Sequence, residues 1–340
     1  MVKNRIEYID AVKGLGIILM ILGHIGFGGL FGKWIQAFHM PLFFIISGFF
    51  FSSDKTSFLS FVSKKARTLL VPYLFFGFVD FGFFALLSFL KGNTFSFEPM
   101  IHFLFVNQTG MDVLGPLWFL TALFISEVII FFIKKINDIH LEFSFSLVVL
   151  IFGYIFSNFL HFQLPWSINA ALVGVFFLFV GSFFRKTKCW CLFEQKSKKD
   201  IIVIFSALLC LVMFSALAFL NKEVNMRTGD YEFLPLFLIS SIGISLTICI
   251  VTKFFYVILD RLFIGKVFSW IGNQSIVFLC LNLPFIHLIN HFLSFIRISK
   301  IVSKCACFIV TCFILYAFAL LVSKTFLAFF IGRKSKSKNQ

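Results

Sequence analysis

The chain has 340 residues, of which 60% are hydrophobic, 13% are charged and 56 are phenylalanine. At a mean hydropathy of +0.99, a water-soluble globule of this size cannot bury its apolar surface, so a lipid bilayer is the expected solvent. That excludes a secreted disulfide scaffold, a disordered chain and a two-domain cytosolic enzyme. The net charge of +15 does not signal nucleic acid, because the 30 Lys and Arg sit in short clusters between apolar runs, as in polytopic membrane proteins.

A helix needs about 20 apolar residues to cross the hydrocarbon core. On that rule about ten spans are expected, at 11–29, 34–52, 69–90, 117–133, 143–160, 168–184, 201–220, 233–252, 274–296 and 305–323. The expected fold is therefore an all-α polytopic membrane protein, with residues 1–331 as one integral-membrane domain and 332–340 as a basic tail. The first run follows MVKNRIEYID, has no small-residue cleavage site behind it and is interrupted by His24. It reads as a retained span, not a signal peptide. Pro41 is expected to kink the second span. FSFEPMIHFLFVN (95–107) reads as interfacial or re-entrant, and KFFYVILDRLFIGKVFSWIG (253–272) as an amphipathic interfacial helix. With the N-terminus inside, 23 Lys and Arg fall on the cytoplasmic side and 7 on the other, so both termini are expected in the cytoplasm.

Of eight cysteines, Cys210, Cys249, Cys280 and Cys312 lie singly in apolar runs, where Cys behaves as a small hydrophobe. Cys189 with Cys191 and Cys305 with Cys307 lack the C-x-x-C spacing of a metal or redox site. No metal site is expected.

Ionisable groups at membrane depth are functional candidates. Six qualify: His24, His39, Asp80, Glu127, His287 and His291. On a helix running from Asp10, Lys13 and His24 are eleven residues apart, so they share a face about 16 Å apart along the axis. Lys13 reaches the headgroups, while His24 is expected near mid-membrane. There a neutral imidazole is suited to take a proton from a hydroxyl; the bland alternative is a His bonded to a neighbouring helix. Gly14, Gly16 and Gly23 permit close packing of that helix. On the second span His39 precedes Met40 and Pro41, and Ser47–Gly48 forms a small polar notch. Together with His24 they suggest a polar cavity.

These blocks carry a resemblance. The pattern R-x-x-x-I-D-x-x-K-G-(x)9-H over Arg5–His24, FHMPLFFIISG over Phe38–Gly48, K-K-x-R-x-L-L-x-P-Y over Lys64–Tyr73 and PLWFL over Pro116–Leu120 resemble acyltransferase family 3, most of all its fucose 4-O-acetylase-like branch. WIGNQSIVFLCLN (270–282) is a weaker match to a late I-G-x-x-S segment. The resemblance implies a multi-pass O-acyltransferase of a bacterial inner membrane, moving acetyl from acetyl-CoA to sugars of surface polysaccharides. It implies no permanently bound cofactor. It assigns catalytic roles to the matched positions Asp10, Lys13 and His24, with Lys standing where the family usually has Arg, so that a bidentate clamp is lost. Asn282 stands where the late segment often has His, and an acid–base role there is expected to be absent. Some relatives carry a fused esterase-like domain; none is expected here.

Acetyl-CoA is a cytosolic polyanion, and Lys64, Lys65 and Arg67 flank the cytoplasmic mouth, where they bind phosphate or simply set topology. Trp118 reads as an interfacial anchor or a sugar contact. Glu127 requires a partner and is a candidate to orient His24 or a sugar hydroxyl, and His39 and Ser47 are candidate acceptor contacts. His287 and His291, one turn apart, read as interfacial packing. The acceptor is a surface glycan or an undecaprenyl-type lipid-linked sugar. The competing class is a carrier, a lipid-linked sugar flippase or polysaccharide exporter, but the paired broken helices of such repeats are not visible.

Overall fold

The computed structural model describes residues 6–52, 57–92, 96–105, 112–160, 164–187 and 200–332. Ten helical stretches among them are long and apolar enough to cross a membrane. No strand occurs among the described residues beyond one isolated bridge between Asn225 and Asp230. The basic tail 333–340, Cys189 and Cys191 lie outside the described residues.

Helix α1 (Glu7–Ile25) stops because Gly26 adopts a left-handed conformation (φ 80°) and its N–H turns back to the Gly23 carbonyl. Gly28 and Gly29 also have positive φ, so the chain reverses at once into α2 (Gly29–Phe49). α2 runs as one helix through Pro41.

The third span is longer than its apolar run suggests. α3 (Phe58–Lys65), capped by the Ser57 side chain, passes through a π-helical turn at Ala66–Leu70 into α4 (Val71–Leu90). Pro72 sits in the first turn of α4 and has no N–H to give to the preceding turn, which fits a local change of register there. The uncertain 95–107 segment contains a short helix, α5 (Glu98–Phe105), whose Phe103 is fully buried beside Gly77 of α4.

A 3-10 turn (Asp112–Leu117) leads into α6 (Trp118–Ile133). Asn137 in the left-handed region and the Asp138 cap then start α7 (Ile139–Asn158). α8 (Ile168–Lys186), α9 (Asp200–Leu220) and α10 (Leu234–Arg261) follow. The 253–272 segment is not one interfacial helix. Its first half extends α10, and its second half forms α11 (Ile264–Asn273), which buries Gly265, Ser269, Ile271 and Gly272. α12 (Ser275–Leu293) and α13 (Lys300–Lys324) complete the bundle.

α6 and α8 are the most buried spans, whereas α7 and α9 turn most of their apolar side chains outward, as lipid-facing helices do. Two pairs of helices meet backbone to backbone. A Cβ on Gly272 would overlap the Asp10 carbonyl, and one on Gly14 the Phe268 carbonyl, so α1 and α11 touch through reciprocal glycines. Gly48 and Gly181 do the same for α2 and α8. This is how helices associate where lipid removes the hydrophobic incentive.

Candidate active site

The tight α1–α2 reversal sets the last turn of α1 beside the first half of α2. A cavity of about 210 Å³ opens there, lined by His24, Gln36 and His39, by Gly115 and Pro116 of the 3-10 turn and Trp118 at the start of α6, and by Asn225 and Arg227 from the α9–α10 connection. His24 lies in the final turn of α1 and is exposed to the cavity. The reason is the early stop at Gly26, which the apolar run alone does not announce.

The orientation of His24 is set by α12. His24 Nδ1 lies 2.5 Å from Asn282 Oδ1. The amide nitrogen of Asn282 donates to the Phe278 and Leu279 carbonyls at 3.0 and 2.6 Å. An amide with its N–H groups committed to carbonyls presents only its oxygen to the histidine, so Nδ1 must carry the proton. The neutral ring then holds its lone pair on Nε2, to which no protein group is bonded among the described residues. His39 repeats the pattern, with Nδ1 donating to the Ile35 carbonyl at 2.8 Å and Nε2 available. The two rings are close enough to act on each other electrostatically.

Arg227 supplies the cavity's fixed cation. The loop that carries it is anchored in the bundle: Val224, Met226 and Tyr231 are buried in the main core, while Lys222, Glu223, Asn225 and Asp230 stay exposed. Asn225 Oδ1 accepts from the Arg227 and Thr228 N–H groups, Asn225 and Asp230 exchange backbone bonds, and Asn158 Nδ2 donates to Gly229 O at 2.9 Å. With its amide turned so that the nitrogen faces the loop, Gln36 donates to Val224 O at 2.8 Å. A Cβ on Gly115 would lie 2.7 Å from Arg227 Nη1, so the guanidinium occupies space that only a glycine leaves open.

Apart from Trp118, the remaining expected site residues lie outside the cavity lining. Lys13 sits 3.4 Å from Asp10 and 5.2 Å from the centre of the Phe50 ring, at the other end of α1, and neither residue lines the cavity. Ser47 is two turns beyond His39 on α2 and also outside it. Glu127 does not orient His24; its Oε1 pairs with Lys65 Nζ at 2.5 Å, tying the π-turn region to α6, and Asn282 holds His24 instead. Lys65 is thereby occupied, while Lys64 is exposed. Arg67 Nε is buried with no partner among the described residues. Trp118 is buried and lines the cavity rather than marking an interface. His287 lies within electrostatic reach of His24, and His291 meets Phe292 and Phe295 edge-on. Asp80 is fully buried in α4 and apart from the cavity.

The sequence reading gives Asn282 no part in holding His24 and does not single out Arg227. An Asn inside SIVFLCLNLPF is a polar group at membrane depth and was a signal of need for a partner. An Arg among the few cations of its side, between Asn225 and Gly229, was a weaker one.

Comparison with known proteins agrees with the motif blocks. The profile of the acyltransferase-domain family (Acyl_transf_3) matches residues 6–323. The chain is similar to nodulation protein NolL of Mesorhizobium japonicum, 32% identical over 149 residues, which are 40% of this chain and 38% of that protein. It is also similar to nodulation protein NolL of Sinorhizobium fredii, 34% identical over 141 residues, 36% of this chain and 35% of the relative. The matches thus span little more than a third of those relatives. No solved structure matches the chain.

Proposed function

The chain belongs to the acyltransferase-domain family, and from that premise we propose that it is a membrane O-acetyltransferase acting from acetyl-CoA on a hydroxyl of a cell-surface glycan or its lipid-linked precursor. The observation that carries this reading is the Asn282–His24 pair, which leaves Nε2 as a base facing a water-accessible cavity. A sugar hydroxyl is a poor nucleophile toward a thioester. As it attacks the carbonyl carbon, His24 Nε2 takes its proton; the C–O bond forms, the C–S bond breaks, and the departing thiolate recovers that proton from the imidazolium. His24 ends neutral. Such base assistance is worth about 10²–10⁴ in rate. Trp118 offers a ring face for a sugar, and His39 a second acceptor for a hydroxyl proton.

The donor's charged half fits the opposite end of the bundle. Arg67, whose Nε is an unmatched buried donor, and the exposed Lys64 are suited to CoA phosphates. Lys65 contributes less, being held by Glu127. Lys13, paired with Asp10, lies about 16 Å from His24 along α1, a separation for the donor's flexible arm to bridge.

The test is mass spectrometry of surface glycans from cells with the gene, without it, and with His24→Gln. We expect one acetyl per repeat to vanish without the gene and acetylation by the variant to fall by at least about 10²-fold. Near-normal acetylation by His24→Gln sinks the base assignment, because Gln hydrogen-bonds but takes no proton. An unchanged glycan mass with impaired export would mark a carrier.

A further inference from the structure

We infer that Arg227 is a catalytic residue of this site, the donor that binds the oxyanion formed when the acceptor hydroxyl attacks the thioester; this rests on the transferase reading above. The attack converts the carbonyl oxygen into an alkoxide, and in a cavity a preorganised cation there stabilises the transition state more than the ground state. Arg227 and His24 line the same cavity, and the guanidinium is near enough for its charge to be felt at His24. A base and an oxyanion donor must flank one carbon from different directions, and here they come from different elements, α1 and the α9–α10 loop.

The loop is built for placement. Its backbone is closed by the Asn225–Asp230 bridge, its turn is held by Asn225 Oδ1, and Asn221 binds both the Tyr231 carbonyl and the Phe233 N–H. A connection that only joined two helices would run over the surface. This one plugs into the bundle and lays its arginine across Gly115, where a methyl group would collide with Nη1. During the reaction Arg227 donates N–H bonds to the alkoxide oxygen; when the alkoxide collapses, its electron pair re-forms the C=O bond as the C–S bond breaks. Arg227 keeps all its protons throughout.

The test uses the full chain in lipid nanodiscs, with acetyl-CoA as donor and, as acceptor, unacetylated glycan extracted from cells lacking the gene, reading CoA thiol release. Arg227→Ala should lower kcat by about 10²–10³-fold while KM for the glycan changes little. Arg227→Lys should retain part of the activity, and added guanidinium should restore part of it to Arg227→Ala. Gly115→Ala, which displaces the guanidinium without removing it, should fall between wild type and Arg227→Ala. A raised KM with kcat intact would overturn the inference in favour of an acceptor-binding arginine. Loss of activity with no guanidinium rescue and a lower melting midpoint would overturn it in favour of a structural one. An inactive wild type overturns the transferase reading itself, whereas an active wild type with an equally active Arg227→Ala overturns this inference alone.

Discussion

A histidine has two nitrogens, and the chemistry proposed for His24 depends on which one carries the proton. Asn282 makes that choice because its amide nitrogen is occupied by the Phe278 and Leu279 carbonyls of its own helix. Replacing Asn282 by Leu removes the acceptor for Nδ1–H without adding charge. We expect 15N NMR of the histidine-labelled protein to report Nδ1–H at His24 in the wild type and a shift toward Nε2–H in Asn282→Leu, with slower acetyl transfer. The loss should stop short of the roughly 10²–10⁴-fold expected for removing the base, because part of the population keeps the productive tautomer. Wild-type His24 protonated on Nε2 would contradict the assignment. An Asn at position 282 takes no proton; the position supports the base rather than acting as one.

Among the helices, the contact that anchors the site from below is that of α1 with α11. Gly14 and Gly272 let the two backbones touch, and each side chain added there meets a carbonyl rather than another side chain. Backbone cannot rotate away as a rotamer can, so overpacking at Gly272 should cost about 1–3 kcal/mol or more. Gly272→Val is therefore expected to lower the melting midpoint in detergent clearly. Gly82→Ala on α4, where an added Cβ meets nothing within 4 Å, should leave it unchanged or raise it slightly, since Ala is better in a helix by about 0.5–1 kcal/mol. Equal midpoints for the two variants would show that α1 and α11 are not packed this closely. The same reasoning accounts for the second half of 253–272: its aromatics and charges suggest an interfacial helix, but Gly265, Ser269 and Gly272 form a flat strip that packs inward.

For the whole molecule, ten spans and a charge split of 23 to 7 predict cytoplasmic termini on the positive-inside rule. Reporters fused after Gln340 and inserted near Lys196 should be cytoplasmic, and one near Asn225 should face outside. That arrangement sets the basic turn at Lys64–Arg67 toward the cytosol and the His24 cavity toward the opposite surface. An external Gln340 would break the even count of spans and move the donor's entry to the other face.

The sequence by itself determined the solvent, the all-helical class, the approximate positions of ten spans and, through the blocks around His24 and His39, the family. Those follow from composition, from apolar run length and from motifs contained within a few turns of helix. The tertiary structure alone decided the partners. Asn282 lies 258 positions from His24 and Glu127 lies 62 from Lys65. Arg227 reaches the cavity only because its loop folds into the bundle. Apolar periodicity states which residues face lipid or core, but it carries no information on which helices are neighbours. In this chain that is settled by reciprocal glycines and by buried polar groups that must find one another where no water can serve them.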